Sequence, residues 1–196
     1  MPDHSRPLSF AEIFGRSVPA EVDLGCGDGA FLTALAEEHP ERNYLGIEKL
    51  FGRIRTGCKR IERAELTNAR LIRADFAQVV ASLLPAESIH VFHIMFPDPW
   101  PKRRHQQRRV VTPELFGSIE KALVSKGVLH VVTDEREYYQ HVLKILKGTP
   151  LFESTSIPEE SLPRSTFEQR FIDAGDPIYR VRLRKLPDPR KGFASQ

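Results

Sequence analysis

The stretch that decides the fold is VDLGCGDGAF, residues 22–31. A short apolar run ends in glycines at positions 25, 27 and 29, and an amphipathic run follows them. A strand that passes through a glycine-rich turn into a helix is typical of the first unit of a doubly wound α/β fold. Glycines there permit a tight turn and a close approach of the backbone to a ligand. The stretch therefore predicts a ligand site at the carboxyl end of the first strand.

The rest of the chain repeats this alternation of strand and helix. Short runs rich in β-branched or aromatic residues predict strands at 20–24, 43–48, 69–74, 89–96 and 127–133. Between them, amphipathic patterns predict helices at about 29–39, 50–65, 76–84, 112–124 and 135–147. Thr112 and Pro113 form a good helix start, as N-cap and first helical residue. We predict a Rossmann-like, doubly wound and mostly parallel sheet with helices on both faces.

The pattern loosens after residue 148. A loop rich in Pro, Ser and Glu is predicted there, with a short strand at 151–154 and a half-exposed late strand at 178–185. A chain of 196 residues without a second block of this kind is expected to be one domain over 1–196. Its ordered core is expected over about 18–186, between a short N-terminal segment and a C-terminal tail.

Bulk composition is that of an ordinary globular protein, with 40% hydrophobic and 28% charged residues. No apolar run approaches the roughly 20 residues that cross a bilayer, and the N-terminus has no secretory pattern. We therefore expect a cytoplasmic protein without membrane association. Cys26 and Cys58 form no disulfide framework and no metal signature, so no metal site is predicted.

Positive charge is concentrated in two places, although the net charge is only +3. Residues 102–109 carry five Lys or Arg and no acid, and residues 180–191 form a second basic cluster. Such clusters suit a polyanion, because neutralised phosphates release counterions. Taken singly, each is also explained by a solvated surface.

The glycine loop is surrounded by acids, and their charge indicates the ligand. A dinucleotide would place its pyrophosphate beside Asp23 and Asp28, which would repel it. S-adenosylmethionine has no phosphate, and its sulfonium and ammonium groups favour nearby carboxylates. Glu48, at the end of the second strand, is placed to accept from two ribose hydroxyls, and Asp75 to accept from the adenine amine. The pattern favours S-adenosylmethionine over a dinucleotide or a glycine turn without ligand.

A second distinctive stretch, FPDPWPKRRHQQRR, occupies residues 96–109. Pro97 and Pro99 stiffen the loop that carries Asp98 past the fourth strand, and Trp100 offers a flat apolar surface beside it. A fixed carboxylate next to a stacking surface and a basic run suits recognition of a nucleotide within an RNA. A proline-stiffened surface loop is the alternative.

Taken together, these motifs resemble the tRNA (guanine-N7)-methyltransferases of the TrmB type, a class I family with a seven-stranded sheet. The resemblance runs over about residues 20–185 and is most specific in FPDPWPKRRHQQRR, with support from DLGCGDG, GIE, TD at 133–134 and STFEQR at 165–170. The resemblance implies which residues contact S-adenosylmethionine, which residue is catalytic and which residues contact the substrate. The cofactor residues are Asp23, Gly25, Gly27, Gly29, Glu48, Asp75 and Asp98, and Asp98 is also the catalytic residue. The substrate residues are Lys102, Asp134, Ser165, Thr166, Phe167 and Glu168. Arg103, Arg104, Arg108 and Arg109 are expected to hold the RNA backbone.

Two positions depart from the family pattern. Asp23 stands where relatives usually have Glu, which shortens its reach by one methylene. Glu21 is expected to be an exposed neighbour that does not replace it. Ser165 stands for the threonine of a T-x-x-E segment and keeps the hydroxyl.

The resemblance implies methyl transfer from S-adenosylmethionine to N7 of a guanosine in tRNA, at position 46 of the variable loop. It also implies tRNA as partner, no obligate protein partner, and a monomer or homodimer. A methyltransferase of another RNA, or a non-catalytic RNA-binding module of this fold, are the alternatives. His93 and His130 lie inside predicted strands and are expected to be packed or hydrogen-bonded, not catalytic.

Overall fold

The computed structural model describes residues 6–100, 104, 109–149, 152–155, 162–163 and 166–187. Seven strands and seven helices alternate within these ranges. The strands are β1 Ala20–Leu24, β2 Asn43–Glu48, β3 Ala69–Arg73, β4 Ile89–Met95, β5 Leu123–Thr133, β6 Phe152–Ser154 and β7 Tyr179–Lys185. The helices are α1 Phe10–Phe14, α2 Ala30–Glu38, α3 Phe51–Arg63, α4 Phe76–Ser82, α5 Pro113–Ala122, α6 Arg136–Lys147 and α7 Thr166–Ala174.

The strands form one sheet in the order β3-β2-β1-β4-β5-β7-β6. Strands β1 to β5 pair in parallel, and β7 runs antiparallel to both β5 and β6. The strand order reverses between β1 and β4, so the carboxyl ends of these two strands flank the crevice where ligands bind in such sheets. The predicted fold class is confirmed.

The two faces of the sheet differ in chemistry. One face has an apolar cluster at its centre, including Val22, Phe92 and Leu129. On the opposite face, paired positions place Asp23 beside His93, His93 beside His130, and His130 beside Arg182. Helix α2 packs against this polar row through Phe31, whose ring meets His93 edge to face at 5.1 Å.

Strand β5 begins four residues earlier than predicted. Helix α5 ends at Ala122, and Leu123 already pairs with Ile89, so residues 123–124 are strand and not helix. The polar Ser-Lys-Gly sequence that hides this start forms an irregularity in the strand, with Lys126 in the left-handed region at φ 65°. The short helix α1 and the helix α7 were not predicted. None of the described helices is long and apolar enough to span a membrane.

Candidate active site

The glycine loop between β1 and α2 forms the tight turn that the sequence predicts. Gly25, Gly27 and Gly29 have φ of 80°, 57° and 72°, a left-handed conformation that side chains with a Cβ rarely adopt. The amides of Gly25 and Cys26 both donate to the carbonyl of Ile47 in β2, at 2.8 and 3.2 Å. The loop is therefore fixed at the carboxyl ends of two neighbouring strands.

Glu48 holds the glycine loop against the start of α3. Its buried carboxylate accepts from the amide of Gly27 at 3.1 Å and from the amide of Leu50 at 2.8 Å. Each oxygen keeps lone-pair capacity for a further hydrogen bond. Glu48 therefore shapes the loop and remains able to accept from a ligand.

Asp23 is buried at the end of β1, with 3% of its surface exposed. Burial raises the pKa of its carboxyl to about 7; the His93 ring opposes this shift and the Glu48 carboxylate adds to it. Its Oδ1 has no hydrogen-bond partner among the described residues. A buried carboxylate with an unpartnered oxygen is suited to a cationic ligand group, which would restore its ionised form.

Two adjoining cavities open at this edge of the sheet. The larger, about 650 Å³, is lined in part by Glu48, Asp75 and Asp98, and the smaller, about 140 Å³, by Asp23, the glycine loop and Asp98. The structure thus brings together all four acids that the resemblance assigns to the cofactor. Asp98 lines both cavities and is exposed, at their junction. Asp75 also caps α4, accepting from the amide of Ala77 at 3.1 Å.

The segment that carries Asp98 is strained at both ends. Phe96 and Trp100 adopt φ of 50° and 44°, although neither is glycine. Non-glycine residues pay about 1–2 kcal/mol for this conformation, and such strain is often found at functional sites. The two residues bracket Pro97, Asp98 and Pro99, so the carboxylate is presented by a backbone that the surrounding structure holds in place.

Arg109 supplies part of that support. Its side chain is buried, its Nε donates to the carbonyl of Pro99 at 2.9 Å, and its guanidinium lies 5.4 Å from the centre of the Tyr138 ring in α6. We predicted that Arg109 holds the RNA backbone, but its guanidinium is buried, with Nη2 lacking a hydrogen-bond partner among the described residues, and is therefore not presented at the surface to a phosphate. The sequence could not separate it from its neighbours, because burial is not visible in a run of like charges.

The residues that the resemblance assigns to the substrate are only partly described. Asp134 directly follows β5, at the same edge as Asp98, but it is not among the described residues that line either cavity. Glu168 is buried in α7 and accepts from Arg180 of β7 at 2.6 Å. Arg104 is exposed, whereas Thr166 and Phe167 lie in α7 without described side chains. Lys102, Arg103, Arg108 and Ser165 lie outside the described residues.

Two other residues matter in ways that the sequence did not indicate. Arg53 in α3 lines both cavities, with its guanidinium 3.9 Å from the carboxylate of Glu48. Glu21 was expected to be exposed, and that prediction is wrong: it is buried, and contacts Arg42 and His93, each at 2.8 Å. Burial alone would raise the pKa of Glu21, but His93 and Arg42 outweigh it and hold the pKa below its ordinary value.

Comparison with solved structures places the fold among known methyltransferases. A rRNA methylase from Streptococcus thermophilus superposes with a TM-score of 0.60 at 18% identity, covering 90% of this chain and 92% of that one. A SAM-dependent methyltransferase from Aquifex aeolicus gives 0.60 at 12% identity, covering 89% and 87%. The sheet order and the acid-lined crevice define the class: this is a Rossmann-like methyltransferase fold.

Sequence comparison narrows the class to a family. A family model described as "Putative methyltransferase" matches residues 17–181. The tRNA (guanine-N(7)-)-methyltransferase of Alkalilimnicola ehrlichii is 36% identical over 96% of this chain and 81% of its own length. That of Leifsonia xyli subsp. xyli is 36% identical over 92% and 82%. The chain belongs to the tRNA (guanine-N(7)-)-methyltransferase family.

Proposed function

We propose that this protein transfers the methyl group of S-adenosylmethionine to N7 of a guanosine in tRNA. The observation that carries the proposal is the set of four carboxylates around one crevice, Asp23, Glu48, Asp75 and Asp98, in a chain of the N7-methyltransferase family. Position 46 of the variable loop is the target that the family resemblance implies.

The residues present fit S-adenosylmethionine. We assign Asp23, with its unpartnered Oδ1, to the ammonium of the amino-acid end, and Arg53 to its carboxylate. Glu48 would accept from the ribose hydroxyls and Asp75 from the adenine amine, beside the larger cavity. When bound, S-adenosylmethionine supplies an electrophilic methyl group on a sulfonium.

The reaction needs alignment more than acid–base chemistry. The lone pair of N7 forms the new bond to the methyl carbon, and the electrons of the carbon–sulfur bond go to sulfur, so no proton moves. Positive charge arrives on the purine as it leaves the sulfur. Asp98, held between two strained residues at the junction of the cavities, would orient the base and stabilise that charge.

The roles proposed for the RNA follow the same geometry. Asp134 would accept from N1–H and the 2-amino group of guanine, as it leaves β5 beside the end of β4. Glu168, through its contact with Arg180, would fix α7 over the sheet. Lys102 and the arginines at 103, 104 and 108 would contact the tRNA phosphates. We further propose that 1–196 is one catalytic domain, and that the enzyme is cytoplasmic and needs no protein partner, as a monomer or homodimer.

The test is methylation of unmodified tRNA transcripts with labelled S-adenosylmethionine, followed by borohydride and aniline cleavage, which cuts the chain at 7-methylguanosine. We expect one cut, in the variable loop, at position 46. Cleavage elsewhere would show that another guanosine is the target. Incorporation of label without cleavage would show that the methyl group is on an atom other than N7. No incorporation into any elongator tRNA would overturn the proposal.

Asp98→Asn provides the matched variant for this assay. The amide keeps the shape of the side chain but loses the negative charge, so we expect kcat to fall by at least about 100-fold, the scale of a lost transition-state contact. The Kd of tRNA should change little. Full turnover in Asp98→Asn would remove the electrostatic role assigned to this carboxylate.

A further inference from the structure

The start of α3 exposes apolar surface at the mouth of the crevice. Three large hydrophobic side chains are exposed among the described residues: Leu50 at 55%, Phe51 at 59% and Ile172 at 37%. The first two are consecutive, and the guanidinium carbon of Arg73 lies 5.4 Å from the centre of the Phe51 ring. An exposed aromatic ring with a cation against it is a surface on which a planar group can stack.

Helix α3 is also strongly basic. It carries five Lys or Arg and one Glu in thirteen residues. Arg53 and Arg60 face acids of the crevice, Glu48 and Asp28. The exposed Arg55 and Lys59, by contrast, have no ion-pair partner within the described ranges.

The aromatic ring and the unpaired cations follow one line along the helix. Phe51, Arg55 and Lys59 are spaced four residues apart, so they lie on the same side of α3, each about 6 Å further along its axis. The line begins beside Lys49, Leu50 and Arg53, which line the 650 Å³ cavity. It therefore starts at the crevice and leads away from it.

We propose that this line is a second RNA contact, separate from residues 96–109. An unpaired nucleotide next to the methylated guanosine would stack on Phe51, and the phosphates that follow it would contact Arg55 and Lys59. The inference rests on the proposed function and deepens it, since it names the part of the substrate that this surface takes. A protein partner fits less well, because an aromatic ring followed by unpaired cations is what single-stranded nucleic acid requires.

The experiment compares four variants with the wild-type protein. Phe51→Ala removes the ring and Phe51→Tyr keeps it, while Arg55→Glu/Lys59→Glu reverses the two charges. Lys144→Glu/Lys147→Glu is the matched control, with the same charge change on exposed residues of α6. For each we would measure the Kd of unmodified tRNA in the presence of S-adenosylhomocysteine, its salt dependence, and kcat and KM for methylation. The affinity for S-adenosylhomocysteine and the thermal midpoint report whether the crevice and the fold are intact.

We expect Phe51→Ala to weaken tRNA binding about fivefold or more, the range for one lost base stack, with Phe51→Tyr close to wild type. Arg55→Glu/Lys59→Glu should raise KM more than it lowers kcat, and should reduce the salt slope by about 1.4, for two single-strand phosphates. The control should reproduce neither change. If the wild-type protein forms 7-methylguanosine and all α3 variants match the control, the proposed second RNA contact is wrong and the proposed function stands. If the wild-type protein forms none, the proposed function fails whatever the variants bind. Loss of affinity for S-adenosylhomocysteine in Phe51→Ala would make the ring part of the cofactor site and would also overturn the inference.

Discussion

At the scale of the residue, Asp23 is expected to link ligand binding to the release of a proton. Burial raises the pKa of its carboxyl to about 7, so near neutral pH a large share of the molecules carries this group protonated. A cationic ligand group favours the ionised form, so binding should displace that proton. Affinity for S-adenosylmethionine should therefore fall as the pH drops from 7.5 to 6, because a larger share of the free protein is then protonated at Asp23 and binding must release that proton.

Isothermal titration calorimetry in buffers of different ionisation enthalpy measures this proton release directly. Asp23→Asn should bind more weakly and should lose this part of the pH dependence. A release of protons that is the same in wild type and Asp23→Asn would assign the titration to another group. The raised pKa of Asp23 also makes the free energy of unfolding of the ligand-free protein depend on pH. The contribution of the protonated carboxyl to stability is complete below about pH 4 and is lost as the pH rises towards 7.

His130 has the opposite effect on stability. Both ring nitrogens are buried without a partner among the described residues, and burial, together with His93 and Arg182, lowers the pKa of the ring to about 3. This pKa lies below the pKa of about 6.5 that a histidine has in the unfolded chain. The contribution of the neutral His130 ring to the free energy of unfolding is therefore complete above about pH 6.5 and is lost as the pH falls towards 3. At pH 5 the loss is about 2 kcal/mol.

Urea unfolding at pH 7.5 and pH 5.0 tests this contribution. His130→Gln removes the titrating group, so its free energy of unfolding should fall by about 2 kcal/mol less than that of the wild type over this interval. His39→Gln, at a half-exposed position, is the control and should follow the wild type. Equal losses in His130→Gln and wild type would show that the ring is solvated enough to accept its proton.

At the scale of the element, helix α6 supports the segment that carries Asp98. The hydroxyl of Tyr138 accepts from the amide of Val111 at 3.3 Å, and Nε2 of His141 lies 2.8 Å from the carbonyl of the same residue. Arg109 stacks on Tyr138 and donates to Pro99. These contacts connect α6 to both sides of the basic run, so we infer that Arg109 acts as a positioning residue.

Exchange of arginine for lysine distinguishes positioning from phosphate binding. Arg109→Lys keeps the charge but loses the planar group that spans Pro99 and Tyr138, so kcat should fall about tenfold or more while the Kd of tRNA changes little. Arg104→Ala, at an exposed position of the basic run, should instead weaken tRNA binding and lower the salt slope by about 0.7–0.9. If Arg109→Lys instead weakened tRNA binding and left kcat unchanged, Arg109 would be an RNA contact and not a positioning residue.

The elements that the sequence predicts well are those whose local pattern and burial agree. Strands β1, β2 and β4 are short and rich in aliphatic or aromatic residues, and Thr112 caps α5 as predicted, accepting from the amide of Leu115 at 3.2 Å. Helix α7 was missed because its register depends on distant partners: Phe171 stacks on Phe96 at 5.2 Å, and Glu168 pairs with Arg180. Neither contact leaves a local signal.

The candidate site divides in the same way. The acids around the glycine loop could be predicted, because parallel strands end at one edge of the sheet and their last residues must lie near each other. The positions of Arg53, Arg109 and Glu21 could not be predicted. Glu21 is fixed by His93, which is 72 residues away in the chain. The contacts of Arg53 with Glu48 and of Arg109 with Pro99 are closer in sequence, but they depend on how the loops after β2 and β4 fold. The left-handed backbone of Phe96 and Trp100 also has no sequence signature.

At the scale of the whole molecule, the sheet joins the crevice to the core. Asp23 lies at one end of a row of paired polar positions that continues through His93 and His130 to Arg182 in β7. The opposite face of the same strands is an apolar core that extends from β1 to β7. A ligand that binds at the carboxyl ends of β1 and β4 therefore contacts the centre of the folding unit and not a separate lobe.

We therefore expect the protein to unfold in one cooperative transition, and ligand to shift that transition as a whole. S-adenosylhomocysteine at 100 times its Kd should stabilise the folded state by about 2.7 kcal/mol, which for a domain of this size corresponds to a rise in Tm of about 5–10 °C. Differential scanning calorimetry with and without the ligand measures both the number of transitions and the shift. Asp23→Asn should retain the single transition and show a smaller shift, because the fold persists while the affinity falls. Two separable transitions, with only one moved by the ligand, would contradict the single domain and would place the crevice in a unit that folds apart from the rest of the sheet.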